Sequence, residues 1–130
     1  MGFAKRESFV KKLELNTTDL AQFTGTDQWY RHGLNGKVHF TDGAKHVADR
    51  AGAYWLLDEI ALVQLFDERV GAERFQVWKL NVRSDMTADL TCEDGNDNVV
   101  YTKKIPFTDF PLEGITFLFT DNTILLPSEY

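Results

Sequence analysis

Three histidines, His32, His39 and His46, recur at intervals of seven residues with Asp42 among them. Neutral imidazoles and carboxylates are groups that zinc accepts as ligands. A helix brings residues i and i+4 together, however, and an interval of seven that crosses a glycine-containing loop and a strand does not. The histidines are therefore expected at the surface or in capping roles, with no metal and no other cofactor.

Asp58 and Glu59 lie inside an apolar run. A carboxylate on a buried helix face must pair, accept hydrogen bonds or raise its pKa, and a raised pKa is what a general acid requires. Adjacent helical residues point about 100° apart, so these two do not converge as an acid–base pair. One is expected to meet an internal donor and the other to reach water. The rival reading is a polar ligand pocket.

Trp29, Tyr30, Arg31 and His32 bring aromatic, cationic and imidazole groups together beside the glycines at 33 and 36. Such a group can stack on a ring and grip a phosphate or carboxylate, or it can anchor a short helix to a sheet. Asp85, Asp89 and Glu93 share one face of a candidate strand, Asp94 and Asp97 follow in its turn, and no basic residue interrupts positions 84–97. Such a ridge can be offered to a basic protein groove, or it can be the solvated face that keeps an edge strand soluble.

The sequence holds no phosphate-binding glycine loop, no G-x-S-x-G and no H-E-x-x-H. Cys92 alternates in step with apolar neighbours, so it reads as a packed thiol. No residue is assigned a catalytic role.

The chain that positions these groups has 130 residues, 43% of them hydrophobic, and a formal charge of −6. That is one domain with a sizeable core. A single cysteine excludes a disulfide framework and fits a reducing compartment. No apolar run is long enough to span a membrane, and a secretory leader is missing, so the protein is expected in the cytoplasm. Residues 1–15 carry four cations against two carboxylates, which leaves −8 for the rest. Counterion release on nucleic acid needs clustered cations, so direct nucleic-acid binding is not expected.

Residues 1–15 read as a basic amphipathic arm or appended helix, and 16–130 as a single α+β domain. Asn16 and Asp19 open a helix that Gly25 ends, and Thr26 can cap a short second one through Tyr30. A strand at 37–41 precedes a helix at 43–51, capped by Thr41 or Asp42 and broken at Gly52. Residues 53–66 are apolar around almost the whole circumference, so they predict a central helix enclosed by protein, partly through an oligomer contact if the chain self-associates.

From residue 75 the period becomes two. Segments 75–83, 86–93 and 98–107 predict consecutive antiparallel strands, with Trp78, Leu80 and Val82 opposite Leu90, Ala88 and Met86, and Lys79 opposite Asp89. Segments 115–120 and 123–126 form a hairpin about Asp121 and Asn122, apolar on both faces through Leu118 and Leu125. The expected architecture is a mainly antiparallel sheet of four to five strands with helices on one face.

The strings QFTGTDQWYRH at 22–32, TDGAKHVADRAGAYWLLDEIA at 41–61, FQVWKL at 75–80, LTCEDGNDNVVY at 90–101, FTDFPL at 107–112 and NTILLPSEY at 122–130 resemble a family of small bacterial proteins of unknown function. The resemblance covers about residues 20–130. It implies a bacterial, phage or plasmid origin and supplies no functional residue. The leading expectation is a non-enzymatic binding protein of a mobile element, with a protein partner such as a host defence protein. The alternatives are a nucleotide- or small-ligand-sequestering oligomer, with Trp29, Tyr30, Arg31, His32, Asp58 and Glu59 around its ligand, and a small hydrolase or metal enzyme using His32, His39, His46, Asp42 or Glu59.

Overall fold

A computed structural model describes residues 28–130. The arm at 1–15 and the helix expected from Asn16 lie outside the described residues. Seven strands form one mixed sheet: β1 (Trp29–Arg31), β2 (His39–Thr41), β3 (Phe75–Val82), β4 (Ala88–Glu93), β5 (Val99–Ile105), β6 (Gly114–Thr120) and β7 (Thr123–Leu125). Their spatial order is β1-β2-β7-β6-β3-β4-β5. Helices α1 (Asp42–Ala51), α2 (Tyr54–Phe66) and the single turn α3 (Glu68–Gly71) connect β2 to β3.

The class is α+β as expected, but the sheet is larger than four to five strands. Two causes account for the difference. Trp29, Tyr30 and Arg31 are a strand rather than the end of a short helix, and they pair antiparallel with β2. The β2 strand then lies parallel to β7, His39 beside Thr123 and Phe40 beside Ile124. The three residues of β1 carry too little alternation to declare a strand, and a parallel neighbour distant in sequence leaves no local mark.

Local chemistry sets the helix boundaries. The Thr41 hydroxyl accepts from Ala44 N–H at 3.2 Å as the N-cap of α1, and Gly52, at φ 62°, closes it with its own N–H on Ala48 O. Asp67 Oδ1 accepts from Arg69 N–H and Val70 N–H at the start of α3. Leu56, Leu57, Ile60, Ala61 and Val63 of α2 are buried against the sheet face that carries Trp78, Leu80, Leu90, Phe117 and Ile124. The end of α2 departs from the expectation of an enclosed helix, because Leu65 is 55% and Phe66 80% exposed.

The β3–β4 register is shifted by two residues from the expected one. Leu80 faces Leu90 and Val82 faces Ala88, so Lys79 lies opposite Thr91 instead of Asp89. The turn is longer than Ser84 and Asp85. Arg83 N–H bonds to Thr87 O, and Met86 takes the left-handed conformation at φ 69° inside it. A shift of two leaves every side chain on its own face, so the periodicity could not reveal it.

Across the sheet, Tyr30, Phe40, Ile124, Phe119 and Gln76 follow one another on the helix-covered face, while Arg31, His39, Thr123, Thr120 and Phe75 follow one another on the outer face. Leu118 and Leu125, also on the outer face, are buried, which agrees with a hairpin covered on both sides. The C-terminal 3-10 turn Pro127–Glu129 packs beside β6, and the Tyr130 ring meets Phe75 edge-on at 5.5 Å.

Candidate functional site

The two carboxylates of α2 diverge. Asp58 Oδ1 lies 2.8 Å from His32 Nε2. The other nitrogen, Nδ1, accepts from Leu34 N–H at 3.2 Å and Asn35 N–H at 3.0 Å. Two backbone donors on Nδ1 leave Nε2 to carry the proton toward Asp58. With Asn35 Nδ2 donating to Ala61 O at 2.8 Å, buried His32 ties the loop after β1 to α2.

Glu59 points the other way. Its Oε2 accepts from Tyr101 O–H at 2.7 Å and its Oε1 from Lys103 Nζ at 2.9 Å, which locks α2 to β5. Burial, then the Glu59 carboxylate, raise the Tyr101 phenol pKa, so the phenol is a firm donor and a poor base.

The aromatic–cationic group at 29–32 divides between the two faces of β1. Tyr30 stacks on Phe40 at 5.6 Å, with Lys45 Nζ 5.6 Å from its ring centroid. Trp29 and Arg31 alternate to the outer face and are exposed, Trp29 by 58%. His32 turns inward. The structure thus brings His32 to Asp58 but separates both from Trp29, Arg31 and Glu59.

The three histidines belong to a loop, to β2 and to α1. Among the described residues no group of three His, Cys, Asp or Glu side chains could hold a metal ion.

In the acidic series, Arg83 Nη2 pairs with Asp89, and Lys79 Nζ lies 3.1 Å from Glu93. Asp85 accepts from Thr87 O–H at 2.6 Å and Thr87 N–H at 3.0 Å, and Asp94 from Asn96 N–H and Asn98 N–H at 2.9 and 3.1 Å. These turn hydrogen bonds, the Thr87 hydroxyl first for Asp85 and the Asn96 amide first for Asp94, lower both carboxyl pKa values. Asp97 is exposed at φ 66°. Cations from β3 and the turn after it cross to this surface, although none occurs between positions 84 and 97.

Burial, ahead of Glu73 and Glu93, pushes the Cys92 thiol up to about 12. A chromogenic disulfide reagent at pH 8 is expected to leave Cys92 unmodified in the native protein and to titrate one thiol in denaturant. Rapid native-state reaction would contradict the packed position.

The buried carboxylate that sequence reasoning passed over is Glu129. Its Oε1 accepts from Thr41 O–H at 2.6 Å and Leu126 N–H at 2.9 Å, and its Oε2 from Gly43 N–H at 3.2 Å. Burial, outweighing these bonds, raises its pKa, with the nearby Asp42 charge adding to the rise. Pro127, the first residue of the turn, is a local hint of a helical start, but Gly43 and Thr41 stand 86 and 88 residues away.

The sequence pattern of a described family spans residues 14–130, which includes the whole of this architecture. The chain belongs to DUF6876, a family of unknown function. No curated protein and no solved structure matches it. Membership in DUF6876 therefore agrees with the resemblance read from residues 20–130 and assigns no role to any side chain. No helix among the described residues is long and apolar enough to cross a membrane.

Proposed function

We propose that this DUF6876 chain is a non-enzymatic binding protein that recognises a protein partner through the exposed end of α2. One observation carries the reading: Leu34, Leu65 and Phe66 are 67%, 55% and 80% exposed, around a loop and helix that are bonded together. Leu65 lines one hollow of about 490 Å³ together with Asn35, Lys37, Glu73, Arg74 and Asp121. Exposed large apolar side chains beside charged ones are a common composition of a recognition surface. Asp58, Glu59 and Glu129 each bond to internal groups that tie elements of the fold together, which supports structural roles for them.

The finer reading, a mobile-element product acting on a host defence protein, draws on the family resemblance together with small size and a charge of −6.

Affinity capture from lysate of the source organism is expected to recover one stoichiometric protein with the native chain. Leu65→Asp/Phe66→Asp, both solvent-exposed positions, should abolish that capture without lowering Tm, since truncating a central apolar anchor removes much of the binding energy. Equal recovery by the double variant would refute the surface, and background proteins alone would refute the reading.

A further inference from the structure

A second surface, on the opposite side of the sheet, has a different chemistry. Tyr30 packs beneath Phe40 on the helix side, so its neighbours Trp29 and Arg31 project together from the outer face. Two residues along a strand place their side chains about 6.6 Å apart. Across the pair, His39 stands directly opposite Arg31, at the separation of a cross-strand couple. Neither Arg31 nor His39 takes an ion pair or a side-chain hydrogen bond among the described residues. The result is an open indole next to two neighbouring unclaimed nitrogen groups, on a protein whose net charge is −6.

The plaque is polar along its length. Trp29 lies opposite Thr41, whose hydroxyl donates to Glu129, so a buried carboxyl group sits at the indole end. Arg31 and His39 stand two positions along their strands from that end. Lys37, in the loop between β1 and β2, lines the separate hollow that also contains Asp121. An anion is thus favoured at the Arg31–His39 end and an uncharged ring at the Trp29 end.

We infer that Trp29, Arg31 and His39 form a binding site for a free mononucleotide, the base stacked on Trp29 and the phosphate held by Arg31 and His39. Indole faces accept any base, and a guanidinium makes paired hydrogen bonds to phosphate oxygens. A free ligand is favoured over a polynucleotide because a chain of this charge repels a long phosphate backbone beyond the one plaque. The inference is independent of the α2 surface, and either can stand without the other.

The test is titration of the full chain with adenosine 5′-monophosphate, read by tryptophan fluorescence quenching and by calorimetry, with adenosine, inorganic phosphate and a ten-nucleotide oligothymidylate as separate arms. The mononucleotide is expected to bind at one site, more tightly than adenosine or phosphate alone. Trp29→Ala and Arg31→Ala should each weaken it about tenfold or more, the size of one stacking or charged contact. His39→Ala should weaken it less, and all three variants should keep the native circular dichroism. Absence of binding, or binding that Trp29→Ala and Arg31→Ala leave unchanged, would overturn the site. Oligothymidylate binding more tightly than the mononucleotide would overturn the free ligand.

Discussion

Gly43→Ala is expected to destabilise the protein by about 2–4 kcal/mol, although an alanine inside a helix is ordinarily worth up to about 1 kcal/mol over glycine. A Cβ at position 43 would stand 2.5–2.7 Å from the Glu129 carboxylate. The carboxylate would have to leave, and Thr41 O–H, Gly43 N–H and Leu126 N–H would lose their shared acceptor. Glu129→Ala removes the same acceptor and should cost a similar amount. The decisive measurement is the double-mutant cycle by urea unfolding. In the Glu129→Ala background the cost of Gly43→Ala should vanish or reverse sign, because only helix propensity remains. Additive losses would mean that the two residues do not meet.

The same carboxylate has a pH signature. Its pKa is raised above the ordinary 4.5 by burial. Protonation is therefore easier in the folded state than in the unfolded one, and the associated stability is fully present below 4.5 and is lost as pH rises through the raised value. Relative to Glu129→Gln, which does not titrate, the native chain should gain stability as pH falls from 7 toward 4.5. The other carboxylates are common to both proteins and cancel. A flat difference across that range would show that Glu129 is not enclosed.

Gln76→Leu is expected to cost about 3–5 kcal/mol, from several lost hydrogen bonds of about 1–3 kcal/mol each in a connected network. Gln76 is fully buried. Its Oε1 accepts from Trp78 Nε1 and Gln64 Nε2, each at 2.8 Å, and the two hydrogens of its Nε2 are shared among Gln64 Oε1 and Val70 O at 2.8 Å and Glu73 O at 3.0 Å. Leucine matches the size but leaves the Trp78 indole N–H and the Val70 and Glu73 carbonyls without their partner. Gln64→Leu should cost less, since Gln64 is only half-buried. Chemical unfolding of both variants with unchanged m-value would support this ordering. A loss under about 1 kcal/mol in Gln76→Leu would mean that water or a rearranged neighbour replaces the amide.

Several features were legible in the residues. The alternation of residues 86–93 placed Met86, Ala88, Leu90 and Cys92 on the packed face, and the last three are buried, whereas Met86 lies exposed in the turn before β4. Thr41 and Gly52 marked the ends of α1 because capping depends on a hydroxyl and on a left-handed backbone at fixed offsets. Asp58 and Glu59 were expected to diverge from helix geometry alone, and they do, toward His32 and toward Tyr101 with Lys103.

Other features had no local signal. The β3–β4 register depends on the length of a turn whose tightest residue is Met86, a poor candidate for positive φ. The exposed end of α2 is as apolar as its buried middle, so composition could not separate Leu65 and Phe66 from Leu56 and Leu57.

The α+β class, the caps of α1, the two-faced strands and the burial of the thiol follow from side-chain type and spacing over a few residues. The closure of Glu129 against Gly43, the place of β2 beside β7, and the face that Trp29 and Arg31 share with His39 emerge in three dimensions alone. These depend on segments brought together from far along the chain, where the physical constraint is excluded volume and hydrogen-bond partnership in space rather than any local pattern.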